Sequence, residues 1–152
     1  MSNFSQVREL LQHNQQLHAR TSLFYKVLAD RTDDHRVNML LFILAKHETQ
    51  LCNAMCSYIE KAPTKILNTY FQFDHELAVA DLFTAELGDK AVSANEVEII
   101  ATRIDDYFCE LYQEMLAAVD CEQVKELLEN LLAHMLEQKK RLSMDVYSML
   151  DM

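Results

Sequence analysis

The near absence of glycine and proline most limits how this chain can fold, because each occurs only once in 152 residues. Sheet proteins need many of both residues in their tight turns, whereas the interiors of long helices exclude them. Half of the residues are apolar, which is enough for one full hydrophobic core in a chain of this length. The composition therefore predicts one all-α domain that covers residues 1–152.

Helical periodicity of the apolar residues predicts four long helices arranged as two hairpins. The first hairpin, about residues 4–62, is interrupted by the capping residues Thr32–Asp34 and stopped by Pro63. The next segment, about 63–93, is too broken for a bundle helix, so we expect a crossover with one or two short helices. The second hairpin covers about 94–150. The expected caps of its two helices are Ser93 or Asn95, and Asp120.

The two hairpins are related by an internal repeat with an offset of 87 residues. Aligned without gaps, a stretch of 23 residues has seven identities, among them Tyr25 with Tyr112 and His47 with His134. Unrelated helical segments of this length share fewer identities. The repeat predicts a duplicated helical hairpin whose two copies pack as a four-helix bundle.

Each long helix also places one polar residue in an inward position, and the repeat puts these four residues at one level of the core. His18 and Asp105 are equivalent, and each precedes a tyrosine by seven residues. Glu48 interrupts the apolar stripe of the second helix, and Gln138 lies on the inner face of the last. Buried charges are unfavourable unless they are paired, hydrogen-bonded or bound to a cation. The candidate functional site is therefore this polar cluster.

Three segments resemble the ferritin-like superfamily, and within it the rubrerythrin-like branch. They are HARTSLFY at 18–25, LAKHETQL at 44–51 and RIDDYFCELY at 103–112. Members of that family have a metal-binding glutamate seven residues before a tyrosine, and an alanine three residues before the glutamate of the second helix. The resemblance implies an all-α, ferritin-like four-helix bundle with a long crossover between helices 2 and 3 and an internal hairpin duplication.

The resemblance also implies where metal would bind, and the chain departs from the family pattern there. In the family, glutamates of helices 1 and 3 and Glu-x-x-His pairs of helices 2 and 4 hold two irons. This sequence keeps Glu48 and a shortened Asp105, and His18 replaces the first glutamate. The remaining ligand positions hold Leu51, Met135 and Gln138. A di-iron centre needs several carboxylates, so the resemblance does not imply an oxidase or ferroxidase activity.

Two hypotheses remain for the polar cluster. In the first, His18, Glu48, Asp105 and Gln138 form a hydrogen-bonded core, and the protein is a non-enzymatic bundle with a vestigial metal site and no cofactor. In the second, His18, Glu48 and Asp105 hold a single divalent ion of iron, manganese or zinc, for storage, sensing or redox chemistry. The two residues that would join such a site after a small helix rotation are His47 and His134.

Charge and hydropathy limit the partners. The 24 acidic and 14 basic residues give a formal charge of −10, which repels nucleic acids and anionic lipid surfaces. The longest apolar run is too short to cross a bilayer, and the N-terminus lacks the basic and apolar regions of a signal peptide. We therefore expect a cytoplasmic protein that does not bind membranes.

The crossover contains the candidate surface for a protein partner. The segment ILNTYFQF, residues 66–73, is uncharged and rich in aromatic residues, so it is either a lid over the bundle or an interface. An interface here would serve a homodimer, which we expect, or another protein. Its candidate residues are Ile66, Tyr70, Phe71 and Phe73.

Overall fold

The computed structural model describes residues 2–3, 6–69, 74–75 and 93–150. Helices account for most of these residues. In chain order they are α1 (Val7–Ala29), α2 (His35–Lys61), the one-turn α3 (Thr64–Leu67), α4 (Ala94–Ala118) and α5 (Glu122–Leu150). A two-residue strand β1 (Ser2–Asn3) pairs antiparallel with β2 (Asp74–His75), and this short pairing was not predicted from the sequence.

The helix boundaries follow the predicted caps, with one difference. The Asp34 carboxylate accepts a hydrogen bond from the backbone N–H of Arg36 at 2.9 Å, and the Ser93 hydroxyl accepts one from Glu96 at 3.2 Å. These bonds satisfy donors that the first turn of a helix leaves unpaired. Asp120 does not cap α5, because that helix begins at Glu122 and Cys121 holds the position before it.

The repeat seen in the sequence is also present in the helix positions. Both α1 and α4, and likewise α2 and α5, begin 87 residues apart. The equivalent tyrosines Tyr25 and Tyr112 are both fully buried. The equivalent valines Val37 and Val124 are at most 2% exposed. The duplicated hairpin therefore fixes which face of each helix enters the common core.

Hydrogen bonds between α1 and α2 set the register of the first hairpin. The Ser22 hydroxyl donates to the backbone carbonyl of Ala45 at 2.9 Å, and the Asn38 amide donates to that of Ala29 at 2.8 Å. Residues late in α1 therefore lie beside residues early in α2, as in an antiparallel pair. Across the second hairpin, Lys139 of α5 forms an ion pair with Asp106 of α4. Within the described ranges, every helix is too short or too polar to span a bilayer.

The start of the crossover packs back on the bundle. The backbone N–H of Val7 donates to the carbonyl of Thr69 at 3.1 Å, and Ile66 and Leu67 are buried. Ile66, a candidate interface residue, therefore belongs to the core of the single chain. The other candidate interface residues, Tyr70, Phe71 and Phe73, lie outside the described residues, as does most of the segment predicted to carry a second short helix.

Candidate functional site

His18 is the centre of the polar cluster and connects three helices. Its Nδ1 lies 2.5 Å from Oε2 of Glu48 on α2, and its Nε2 lies 2.6 Å from the Tyr112 hydroxyl on α4. All three residues are fully buried. A proton must lie between the nitrogen and the oxygen in each contact, so both ring nitrogens of His18 are used.

Stacking fixes the orientation of the His18 ring. The Phe108 ring lies parallel to the imidazole, with a centroid separation of 4.0 Å and an interplanar angle of 7°. Phe108 is one helical turn before Tyr112, so one face of α4 supplies both the stacking ring and the hydroxyl. The imidazole is thus held in one plane with its two nitrogens directed at Glu48 and Tyr112.

Gln138 of α5 completes the cluster. Its Nε2 donates to Oε1 of Glu48 and to Oδ1 of Asp105, both at 3.2 Å. The amide therefore uses its two hydrogens on two carboxyl groups of different helices. Together with the His18 contacts, these bonds use both oxygens of Glu48 and bring all four long helices to one point. The structure thus brings together the four polar residues selected from the sequence.

Burial strongly affects the acid–base behaviour of this region. Burial, followed by the charge of Glu48, raises the pKa of Asp105 to about 8, against the opposing hydrogen bond from Gln138. Burial, followed by the charges of Asp105 and Glu48, also raises the pKa of Tyr25 well above its usual value. The same causes, burial and then Glu48, raise that of Tyr112. Asp105 is therefore largely a neutral carboxylic acid near pH 7.

Three buried polar atoms have no hydrogen-bond partner among the described residues: Oδ2 of Asp105, the hydroxyl of Tyr25 and Oδ1 of Asn14. Asn14 does donate through Nδ2 to the sulfur of Met115 at 3.3 Å. The two tyrosines related by the repeat therefore differ, because Tyr112 binds His18 while the Tyr25 hydroxyl is unsatisfied. Such atoms are rare in native cores.

The donor set does not suit the di-iron centre that ferritin-like bundles can hold. The cluster supplies two carboxylates, Glu48 and Asp105, whereas a di-iron centre needs several, and both nitrogens of His18 and both oxygens of Glu48 already contact protein groups. Metal ligation needs lone pairs on deprotonated groups. In the part of the chain that the structure describes, no three His, Cys, Asp or Glu side chains are arranged to hold a metal ion.

The two histidines proposed to join a metal site lie outside the cluster. His47 of α2 and His134 of α5 line a cleft of about 270 Å³ whose other lining residues are Gln50, Glu137, Gln138 and Arg141. Partial burial, then the charge of Arg141, lowers the pKa of His47. Only Gln138 belongs to both the cleft and the cluster.

A second candidate site is the outer surface of the first hairpin, which the sequence analysis missed. Five large apolar side chains are exposed there, for example Leu23 at 63% and Met39 at 62%. The antiparallel register of α1 and α2 places the exposed apolar side chains of both helices at the same height along the hairpin. We name this surface the first outer face. It comprises Leu23, Val27, Met39, Phe42 and Ile43.

The repeat gives an equivalent surface on the second hairpin, with opposite chemistry. An offset of 87 residues converts each apolar residue of the first outer face into an acid or an amide, and all five are exposed. We name this surface the second outer face. It comprises Glu110, Glu114, Glu126, Glu129 and Asn130. The exchange of apolar for acidic or amide residues at an offset of 87 is visible in the sequence, whereas the exposure of both sets is known from the structure.

Comparison with known proteins supports the fold and leaves the activity open. No family model matches the chain, and no curated protein matches it by sequence. A crystal structure from Thermotoga maritima, assigned to the ferritin-like diiron-carboxylate proteins, is similar with a TM-score of 0.66 and 14% identity, over 93% of this chain and 95% of that one. The predicted all-α ferritin-like fold is thereby confirmed. At this identity the likeness carries no information on metal content.

Proposed function

We propose that this protein is a non-enzymatic ferritin-like bundle that works by associating with a second copy of itself through the first outer face, and that its polar core is a vestigial metal site with a structural role. The observation that carries the proposal is the exchange of five exposed apolar residues for four glutamates and an asparagine between equivalent faces. Single exposed apolar residues are common, whereas several of them at one height of a hairpin favour an interaction surface.

Net charge favours a second copy on the first outer face over contact elsewhere. At −10, two copies of this chain repel each other wherever acidic surfaces meet. The second outer face has four exposed glutamates, so an apolar contact there would desolvate several carboxylates. The first outer face has no acid among its five residues, so two copies that meet there avoid the carboxylates of the second outer face.

The charges at the two ends of the first outer face also suit a two-fold contact. Lys46 lies one turn beyond Phe42 at one end, and the turn between α1 and α2 lies at the other. A two-fold axis that crosses the middle of the face perpendicular to α1 and α2 would place Lys46 of each copy beside the turn of its partner. The charged residues of that turn and of the start of α2 are Asp30, Arg31, Asp33, Asp34 and Arg36.

A matched pair of substitutions tests the association. Ile43→Glu gives the first outer face an acid, while Asn130→Glu adds the same acid at the equivalent position of the second. We expect sedimentation equilibrium to give a dimer for wild type and Asn130→Glu, and a dissociation constant at least tenfold higher for Ile43→Glu. Monomeric wild type at tens of micromolar, or equal weakening by both substitutions, would contradict the proposal. Circular dichroism checks that both variants fold.

Metal addition tests the structural role of the core. The alternative function, in which His18, Glu48 and Asp105 hold a divalent ion, requires that ion to stabilise the folded state by mass action. We expect added manganese, iron or zinc to change the melting temperature of wild type no more than that of Glu48→Gln. A rise confined to wild type, with near-stoichiometric metal in the purified protein, would establish the metal-binding alternative.

A further inference from the structure

The cleft between α2 and α5 is a second concave feature, separate from the outer faces and open to solvent. Its volume of about 270 Å³ is below the range of about 300–1,000 Å³ that drug-sized ligands occupy. The cleft therefore suits a ligand of only a few heavy atoms. Hydrogen-bond donors are plentiful there, since the guanidinium of Arg141, the imidazoles of His47 and His134 and the amide of Gln50 all carry N–H groups.

The cleft also contains acceptors. Gln138 uses its Nε2 on Glu48 and Asp105, so the group it can offer to a ligand is its amide oxygen. Glu137 lines the same cleft, and its carboxylate lies 3.5 Å from Nε of Arg141. That ion pair is more than half exposed, which makes it weak and easily replaced. A ligand would therefore meet donors together with one amide and one carboxylate acceptor.

We infer that this cleft binds a protonated phosphate group, with Arg141 and the two histidines donating to its oxygens and Gln138 or Glu137 accepting from its hydroxyl. Near neutral pH, inorganic phosphate carries both negative oxygens and at least one O–H, whereas sulfate carries no proton. The arginine fork suits two oxygens of a tetrahedral anion. The mixed donors and acceptors of the cleft therefore select phosphate over sulfate, which has the same shape.

The surrounding charges do not prevent this binding. Glu48 does not line the cleft, and its two carboxyl oxygens contact His18 and Gln138. Asp145 acts on His47 electrostatically but does not line the cleft. A neutral imidazole such as that of His47 offers one N–H donor and one acceptor nitrogen.

The test is a titration of the full-length protein with inorganic phosphate, followed by the imidazole signals in NMR spectra. We expect saturable shifts of the His47 and His134 signals, while the exposed His35 at the start of α2 serves as an internal control. Sulfate at matched ionic strength should give less than a tenth of the affinity. Arg141→Gln should weaken phosphate binding at least tenfold, whereas Lys140→Gln, on the neighbouring exposed residue, should leave it within twofold.

Three results would overturn the inference. The first is the absence of saturable shifts at His47 and His134. The second is equal affinity for sulfate and phosphate, which would indicate simple charge attraction. The third is equal weakening by Arg141→Gln and Lys140→Gln. Arg141 is 66% exposed, so its replacement should not unfold the protein, and His47→Gln provides an independent second variant. The oligomeric state is measured separately, so this inference stands or falls independently of dimer formation.

Discussion

The two helical hairpins share a core pattern but differ on their outer surfaces and in the polar core. Tyr25 and Tyr112 occupy equivalent buried positions, yet only Tyr112 has a hydrogen-bond partner among the described residues. At the next level, Glu48 of the first hairpin corresponds to Met135 of the second, and both are fully buried. Duplication thus preserved the apolar residues that the fold needs, while the polar residues and the outer faces diverged.

Positions where the two hairpins agree are constrained by packing, and positions where they differ are available for function. Equivalent core residues fill the same space, so exchanging them for other shapes leaves voids or overlaps. The outer faces have no such constraint, and one became apolar while the other became acidic. Function is therefore best sought at positions where the repeat keeps the burial of a residue but changes its chemistry.

Among single substitutions compared at one pH, the largest expected effect comes from breaking the cluster on the side of the first hairpin. Glu48→Ala should lower the free energy of unfolding by about 3–5 kcal/mol, because it leaves Nδ1 of His18 and one N–H of the Gln138 amide without their buried partner. At the equivalent position, Met135→Leu should change it by less than about 1.5 kcal/mol, since volume and polarity are nearly kept. Urea unfolding followed by circular dichroism measures both. Similar losses for the two variants would show that the cluster has no special energetic role.

Asp105 should make stability depend on pH. Its pKa is raised from the ordinary 3.8 to about 8 in the folded protein, so the native state holds a proton that the unfolded chain has released. The contribution of Asp105 to the free energy of unfolding is complete below about pH 4. It is lost as the pH rises towards 8, by about 1.4 kcal/mol per pH unit between these values. Unfolding curves at several pH values should lose this slope in Asp105→Asn. An unchanged slope in the variant would contradict the assignment.

The equivalent tyrosines offer the sharpest test of how the hairpins differ. Tyr112→Phe should lower the free energy of unfolding by about 1–3 kcal/mol, because Nε2 of His18 loses its buried partner. Tyr25→Phe should be neutral or stabilising, because it removes a buried hydroxyl that is unsatisfied within the described residues. Thermal unfolding of both variants compares them directly. A larger loss for Tyr25→Phe would mean that its hydroxyl has an important partner.

The smallest effect concerns the helix starts. Asp34 caps α2, whereas the equivalent residue before α5 is Cys121. Cys121→Asp should therefore stabilise the protein by about 0.5–1 kcal/mol, and Asp34→Ala should destabilise it by about 1 kcal/mol. Chemical denaturation resolves changes of this size if several curves are averaged. No gain from Cys121→Asp would indicate that the start of α5 cannot adopt the cap geometry.

Most of the fold could be predicted from the sequence because helices are determined by local signals. Asp34 and Ser93 mark helix starts, and Pro63 marks an end, since each acts within a few residues of its own position. The repeat added the long-range information, by placing His18, Glu48, Asp105 and Gln138 at one height. The predicted cap Asp120 is one residue too early, because Cys121 holds the position before α5. A favourable side chain does not by itself set the backbone angles that decide where a helix begins.

The details of the site were less predictable, for physical reasons. The spacing does not predict which polar residue Tyr112 binds; its hydroxyl contacts His18, and this choice depends on rotamers and helix rotation. The interface was predicted among the crossover aromatics, whereas the exposed apolar residues of the first outer face lie on helices. Whether Phe42 points outward depends on the face that α1 covers, which is a tertiary property.

The hydrogen bonds of the polar cluster join residues that are far apart in sequence, and this has a consequence for the rates of folding and unfolding. His18 and Glu48 are 30 residues apart, whereas the pairs of Glu48 with Gln138 and of His18 with Tyr112 are separated by 90 and 94 residues. Contacts that close such long loops have a high entropic cost. We therefore expect them to form late in folding, after the contacts within each hairpin. Loss of the bond to Tyr112 should therefore speed unfolding while the refolding rate stays nearly constant. The cluster would then lower the unfolding rate of the bundle and have little effect on its folding rate.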